Sequence, residues 1–242
     1  MSRQSGQPGD RVSTKLEIKL INLSLTRPNT LVHAVTERLR EAIVTAELKL
    51  GEALSEEKLA SAFGVSRTPV REALNLLQLQ GLIEIAPQRG SFVFRPTMED
   101  IAHLCDFRIA MELTVIPLCA EHDHASTNAA LLECLEEMEK AFAKDDGFGY
   151  ATLDDALHQL FFSHCGNPYF QDAYGLIAGR ISALRNNLTI DYQADRAVSM
   201  EEHRQIVKMF SETELDDIET VLKAHIGRTR ENFLEAMENG VF

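Results

Sequence analysis

Four residues of this 242-residue chain have the types and spacing to hold a metal ion: Asp154, His158, His203 and His225. Asp154 and His158 stand four apart, about 40° around an α-helix, so they face the same way. His203 and His225 fall on two later stretches with helical character, and a helix bundle can bring such inward side chains together in its core. Three imidazoles and a carboxylate suit Zn²⁺, Ni²⁺, Mn²⁺ or Fe²⁺, and the ligand types do not choose among them. The chain has eight histidines, so spacing alone leaves ordinary hydrogen-bonded core histidines as the other reading. An ion held this way could also activate water for hydrolysis. No HExxH, GxSxG or Walker A motif is present, however, and no further general base accompanies the set.

A second group suits a different chemistry. Ser66, Arg67, Thr68 and Arg71 open an amphipathic stretch that follows a short helix and a glycine, Gly64. Arginine can pair bidentately with guanine, and hydroxyls at a helix N-terminus suit phosphate oxygens. Arg89 and Gly90 occupy the turn between two strand-like runs, where a basic tip can approach an adjacent groove or backbone. Two arginines on one helix are equally compatible with a solvated surface. The order of elements within about 65 residues points to duplex DNA.

That order is as follows. Val32, Val35, Leu39 and Ile43 recur at helical spacing from residue 30 to just before Gly51. Ser55 can cap a short second helix with Leu59, Ala60 and Phe63 inward, and Ser66 can cap a third with Val70, Ala73, Leu74 and Leu77 inward. Residues 82–85 and 91–94 are strand-like around Pro87-Gln88-Arg89-Gly90, the pattern of a hairpin wing. Beyond the linker Arg95-Pro96-Thr97, consecutive helices are expected at 98–122, 126–144, 148–165, 168–190, 197–211 and 213–239. Pro117 should kink or end the first of these. His122-Asp123-His124 reads as a solvated loop near a helix end, and residues 133–139 as an exposed acidic face around Leu132, Leu135 and Met138.

Composition divides the chain. Apolar residues make up 45% and the net charge is −13, yet residues 1–96 carry +3 and the remainder −16, so only the N-terminal part suits a polyanion. The four cysteines, Cys105, Cys119, Cys134 and Cys165, form no CxxC pair and read as reduced, mostly buried thiols. With no apolar run of bilayer length and no apolar leader in the first residues, the expected location is the cytoplasm, with no membrane partner.

Residues 31–94 resemble the winged helix-turn-helix of the GntR family of regulators, most specifically in GVSRTPVREAL at 64–74. The resemblance implies that Arg67 and Arg71 contact DNA, assisted by Ser66, Thr68, Arg89 and Gly90. One departure concerns the second helix, where some relatives use an arginine near its start and this chain has Glu56 and Glu57.

Residues 97–238 resemble the FCD ligand-binding domain of the FadR subfamily, on Asp154-Asp155-Ala156-Leu157-His158, Gly166-Asn167-Pro168, Glu202-His203-Arg204-Gln205-Ile206 and Ala224-His225. This implies a divalent metal on Asp154, His158, His203 and His225, zinc first and nickel, manganese or iron as alternatives. A small organic acid would bind beside it. Arg108, in Arg108-Ile109-Ala110-Met111-Glu112, is expected to pair with the acid's carboxylate, and Arg185 is a second candidate. For Arg108 the other reading is a structural ion pair with Glu112.

The expected architecture is thus mainly α. A flexible arm at 1–29, ordered at most near residues 18–25, precedes a winged helix-turn-helix of three helices and a hairpin at 30–95 and an all-helical bundle at 96–242. The expected function is a transcription regulator, a repressor, working as a homodimer on a palindromic operator and gated by the acid. A metal-dependent hydrolase and a metal-responsive regulator are the alternatives.

Overall fold

The computed structural model describes residues 30–188 and 193–240; the expected arm at 1–29 lies outside them. α1 (Thr30–Val44) buries Val32, Val35, Leu39 and Ile43, the stripe its sequence presents. α2 (Glu56–Phe63) starts where the Ser55 hydroxyl accepts the Lys58 N–H and stops at Gly64, whose φ of 66° is readily reached only without a β-carbon. α3 (Arg67–Leu79) buries Val70, Ala73, Leu74 and Leu77. Ser66 takes the N-cap backbone position, but its side chain makes no capping bond, so the hydroxyl stays exposed.

The wing consists of β2 (Ile83–Ala86) and β3 (Gly90–Val93), paired antiparallel with Ile83 opposite Val93 and Ala86 opposite Gly90. The sequence did not foreshadow β1 (Ala53–Leu54), which pairs with the other edge of β3 to give the order β1-β3-β2. Two residues are too few to show a strand period.

Five helices follow: α4 (Met98–Ala143), α5 (Gly147–His164), α6 (Pro168–Leu188), α7 (Gln193–Ser211) and α8 (Leu215–Glu238). Thr97 and Asp100 form a reciprocal capping box at the start of α4. Pro117 lies inside this helix and does not end it; the break is at Asp123, whose backbone is extended (φ −158°, ψ 78°), in the gap between the expected helices at 98–122 and 126–144. Asp123 Oδ1 accepts the Ser126 N–H there and so caps the second half of the helix. Nor is the adjacent segment a solvated loop, because His124 stacks on Phe210 and places Nε2 2.8 Å from the Phe210 carbonyl oxygen. In the acidic stretch, Leu131 rather than Leu132 turns inward with Met138.

α4 packs on α5, α7 and α8 around Phe161, Phe162, Phe210 and Leu222. The four cysteines are free thiols, and only Cys134 is partly exposed. Among the described residues no helix is long and apolar enough to cross a membrane. α6 also touches the N-terminal half, where the Asn186 side-chain amide donates to the Val44 carbonyl at 2.8 Å.

A candidate metal centre and a candidate DNA-reading face

Three helices deliver the four candidate metal ligands to one buried point. α5 contributes Asp154 and His158 from one face, α7 contributes His203 and α8 contributes His225, each at most 4% exposed. One ligand atom from each lies within 4.8 Å of all the others. Nε2 of His158 is 3.3 Å from Nε2 of both His225 and His203, while Asp154 Oδ1 and Oδ2 stand 3.6 Å and 3.7 Å from His158 and His203 Nε2.

The outward nitrogens explain why Nε2 is the atom turned inward. His158 Nδ1 is 2.6 Å from Glu112 Oε2, His225 Nδ1 is 2.8 Å from Glu202 Oε2, and His203 Nδ1 is 3.2 Å from the Tyr150 hydroxyl. A carboxylate accepts only, so His158 and His225 each carry a proton on Nδ1, which in the neutral imidazole leaves Nε2 as an inward lone pair. Lone pairs 3.3 Å apart in a dry site repel unless something positive stands between them. Two nitrogens bound at about 2.0–2.1 Å to one tetrahedral ion would be about 3.3–3.4 Å apart, so the residues fit a small divalent cation.

Electrostatics favours the same species. Burial alone would raise Asp154, but Arg185 beside it and then the imidazoles outweigh burial and hold the carboxyl well below its usual range. Arg185 Nη2 stands 2.9 Å from Asp154 Oδ1 as an ion pair outside hydrogen-bonding geometry, and its Nη1 pairs with Asp155. Burial pushes His203 well below the ordinary imidazole value and lowers His225 to about 4, the latter against the opposing pull of Glu202.

The stability of the metal-free protein should therefore depend on pH. Unfolded His225 protonates near 6.5, whereas the folded residue stays neutral down to about 4, so the unfolded state binds more protons between these values. Stability is full above pH 6.5 and falls as the pH drops toward 4, by on the order of 3 kcal/mol from His225 alone. Urea denaturation of metal-stripped protein at pH 7.5 and pH 5 measures this. Equal midpoints would mean that the imidazole is not held neutral.

Arg108 is buried, and its Nη2 has no hydrogen-bond partner among the described residues. It is 2% exposed, with Nε 2.6 Å from Glu112 Oε1, while the other Glu112 oxygen takes the His158 proton. Burial would raise Glu112, but Arg108 and then His158 hold it at about 2. What the structure shows for Arg108 is thus the ion pair, which orients a candidate metal ligand through Glu112. Glu112→Ala should cost about 3–5 kcal/mol in chemical denaturation, because it leaves the Arg108 charge buried and uncompensated. A loss below about 1 kcal/mol, the range of an exposed pair, would contradict that.

Arg185 lines a cavity, which opens beside the cluster past Tyr150 and Asp154 and is walled further by Arg196, Ser199, Arg228 and Phe233. Arg196 and Arg228 were missed in the sequence, although Arg228 sits three residues after His225 and so shares its helix face. Arg228 also pairs with Glu202, the carboxylate that takes the His225 proton. Glu202 and Tyr150 were missed as well; neither has a local spacing signal to its histidine.

In the N-terminal half, Ser66, Arg67, Thr68 and Arg71 are exposed at the start of α3, as are Arg89 and Gly90 at the wing tip. Arg67 and Arg71 are engaged by the glutamates of α2. Arg71 Nε and Nη2 meet Glu56 Oε1 and Oε2 at 3.0 Å and 2.7 Å, and Arg67 Nη2 is 3.0 Å from Glu57 Oε2.

Comparison with known proteins covers both halves. Residues 31–93 match the family described as bacterial regulatory proteins, gntR family, and residues 103–228 match the FCD domain. The chain is similar to an uncharacterized HTH-type transcriptional regulator in an unstable DNA locus of Streptomyces ambofaciens, at 33% identity over 78% of this chain and 79% of that one. It is 27% identical to the HTH-type transcriptional repressor RspR of Escherichia coli K12, over 80% and 85% of the two chains. It is also 30% identical to the gluconate operon transcriptional repressor of Bacillus licheniformis, over 60% and 59%. A solved transcriptional regulator GntR from Rhodococcus sp. RHA1 shares the fold, with a TM-score of 0.75 at 23% identity over 85% of this chain and 98% of that one.

Proposed function

The chain belongs to the GntR family of bacterial regulatory proteins, and from that premise we propose a repressor whose hold on its operator is set by a small carboxylate bound beside a divalent metal ion. Membership makes it a DNA-binding transcription regulator and not an enzyme, which sets aside the hydrolase reading of the metal residues. Asp154, His158, His203 and His225 would hold the ion, zinc first. The single observation that carries this reading is the inward convergence of three Nε2 atoms whose outer nitrogens are already occupied. When bound, the ion supplies a Lewis-acidic contact for a carboxylate oxygen.

The chain's own residues do the rest. Arg185, Arg196 and Arg228 line the adjoining cavity, and a guanidinium fork matches a carboxylate. Arg108, whose buried Nη2 is without a hydrogen-bond partner among the described residues, and Arg185, which also steadies Asp154, would pair with the acid, joined by Arg228 and Arg196. Arg67, Arg71, Ser66, Thr68, Arg89 and Gly90 would contact DNA, and a homodimer would match a palindromic site. Arg185 at the cavity and Asn186 against α1 are consecutive on α6. Displacement of Arg185 therefore has a short route to the DNA-reading half, and gating requires that the acid favour one arrangement over the other.

Calorimetry tests the sensing claim. Zinc-loaded protein should bind at least one of a sugar acid, a hydroxy acid or a dicarboxylate saturably, and metal-stripped protein should bind it at least about tenfold more weakly. Equal binding with and without metal, or no binding of any acid, would overturn it.

A further inference from the structure

We propose that Glu56 and Glu57 are positioning residues that make the recognition arginines read bases rather than clamp phosphates. This rests on the assignment of Arg67 and Arg71 to DNA contact. The glutamates open α2, where carboxylates are favoured by the helix dipole, and they reach across to the first turns of α3. Glu56 takes Arg71 by both oxygens, and Glu57 takes Arg67 by one.

The geometry of the guanidinium gives these pairs a consequence. Arg71 has five N–H donors, and Glu56 occupies the edge formed by Nε and Nη2. The end formed by Nη1 and the second Nη2 hydrogen is left to meet O6 and N7 of a guanine. The Arg71 side chain is 64% exposed against 30% for Glu56, so the arginine is the outer member of that pair; in the other pair Glu57 (76%) is more exposed than Arg67 (59%) and acts through charge alone. The Arg71 fork is thus braced from behind, and less side-chain freedom is lost when it reads a base.

Charge points the same way. Residues 30–95 hold eight Lys and Arg and eight Asp and Glu, so the DNA-reading unit is neutral overall. Non-specific binding comes almost entirely from cations that release phosphate counterions. Neutralising Arg67 and Arg71 weakens that component, and the α2 N-terminus is denied to a phosphate by its own carboxylates. Base contacts survive while the sequence-independent background falls, which raises the ratio between the two.

The test uses the full-length protein with two probes: an operator duplex selected by the wild type from a random pool, and a shuffled duplex of equal composition. Glu56→Gln with Glu57→Gln should bind the shuffled duplex several-fold more tightly. Its log K against log salt should steepen by about 0.9 per freed cation, and its preference for the operator should fall at least fivefold. Glu57→Gln alone changes a residue 76% exposed, so it tests the same shift without threatening the fold. Unchanged slope and preference in both variants would overturn the proposal, because a merely structural pair would leave them unmoved. Arg71→Ala serves as the control for the underlying assignment: if operator binding survives it, base reading by this residue fails independently of the glutamates.

Discussion

Replacing His203 and His225 together with alanine is expected to reduce bound metal from about one ion per chain to background while leaving the protein folded. Two of four ligand atoms disappear, and the remaining Asp154–His158 pair cannot close around an ion. Loss of these two imidazoles leaves no buried charge without a partner. Their outer partners keep other contacts, since Glu202 retains Arg228 and Tyr150 has Ser199 within reach. His158 is different, because its loss would disturb Glu112 and with it the buried Arg108. Wild-type protein in zinc at a thousand times its dissociation constant should gain about 4 kcal/mol, a rise in melting temperature on the order of 10 °C. The double variant should gain nothing from zinc. Stoichiometric metal in the variant by elemental analysis would show that the ligand set is wrong.

The second large effect belongs to the opposite end of the molecule. Arg67→Ala and Arg71→Ala should each weaken operator binding by about 1–3 kcal/mol, roughly tenfold to more than a hundredfold. Metal content should not change, because neither residue is near the bundle core. Arg71→Ala should be the more damaging, since it also leaves the Glu56 carboxylate turned toward the phosphates without its cation. Fluorescence anisotropy on a labelled operator gives the comparison. Unchanged affinity in both variants would remove α3 as the reading helix.

Much of this could be read from residues because the signals were local. Asp154 and His158 are four apart on one helix, and Ser55 with Gly64 bracket α2 in a few residues. Three histidines from separate helices converge as the family resemblance implied; spacing alone left ordinary core histidines as the other reading. What escaped was set by tertiary contact. Arg108 makes the ion pair with Glu112 that its i,i+4 spacing offered, but that Glu112 also takes the His158 proton was not visible in the sequence. Arg196 and Arg228 resemble any surface cations in a sequence until the helices of the bundle are packed. Pro117 was expected to kink or end the first helix and does not end it, whereas the break at Asp123 falls in the gap the sequence left between helices at 98–122 and 126–144. β1 needed its partner β3 to exist at all.

The decisive measurement is a titration of the zinc-loaded protein against the DNA upstream of its own coding sequence, at one fixed salt concentration, with and without a panel of small carboxylates. Sequence-specific binding that one acid weakens at least tenfold is the predicted result. Binding without sequence preference would contradict acid-gated regulation, as would specific binding that no acid alters; a response to metal alone would make the ion itself the signal.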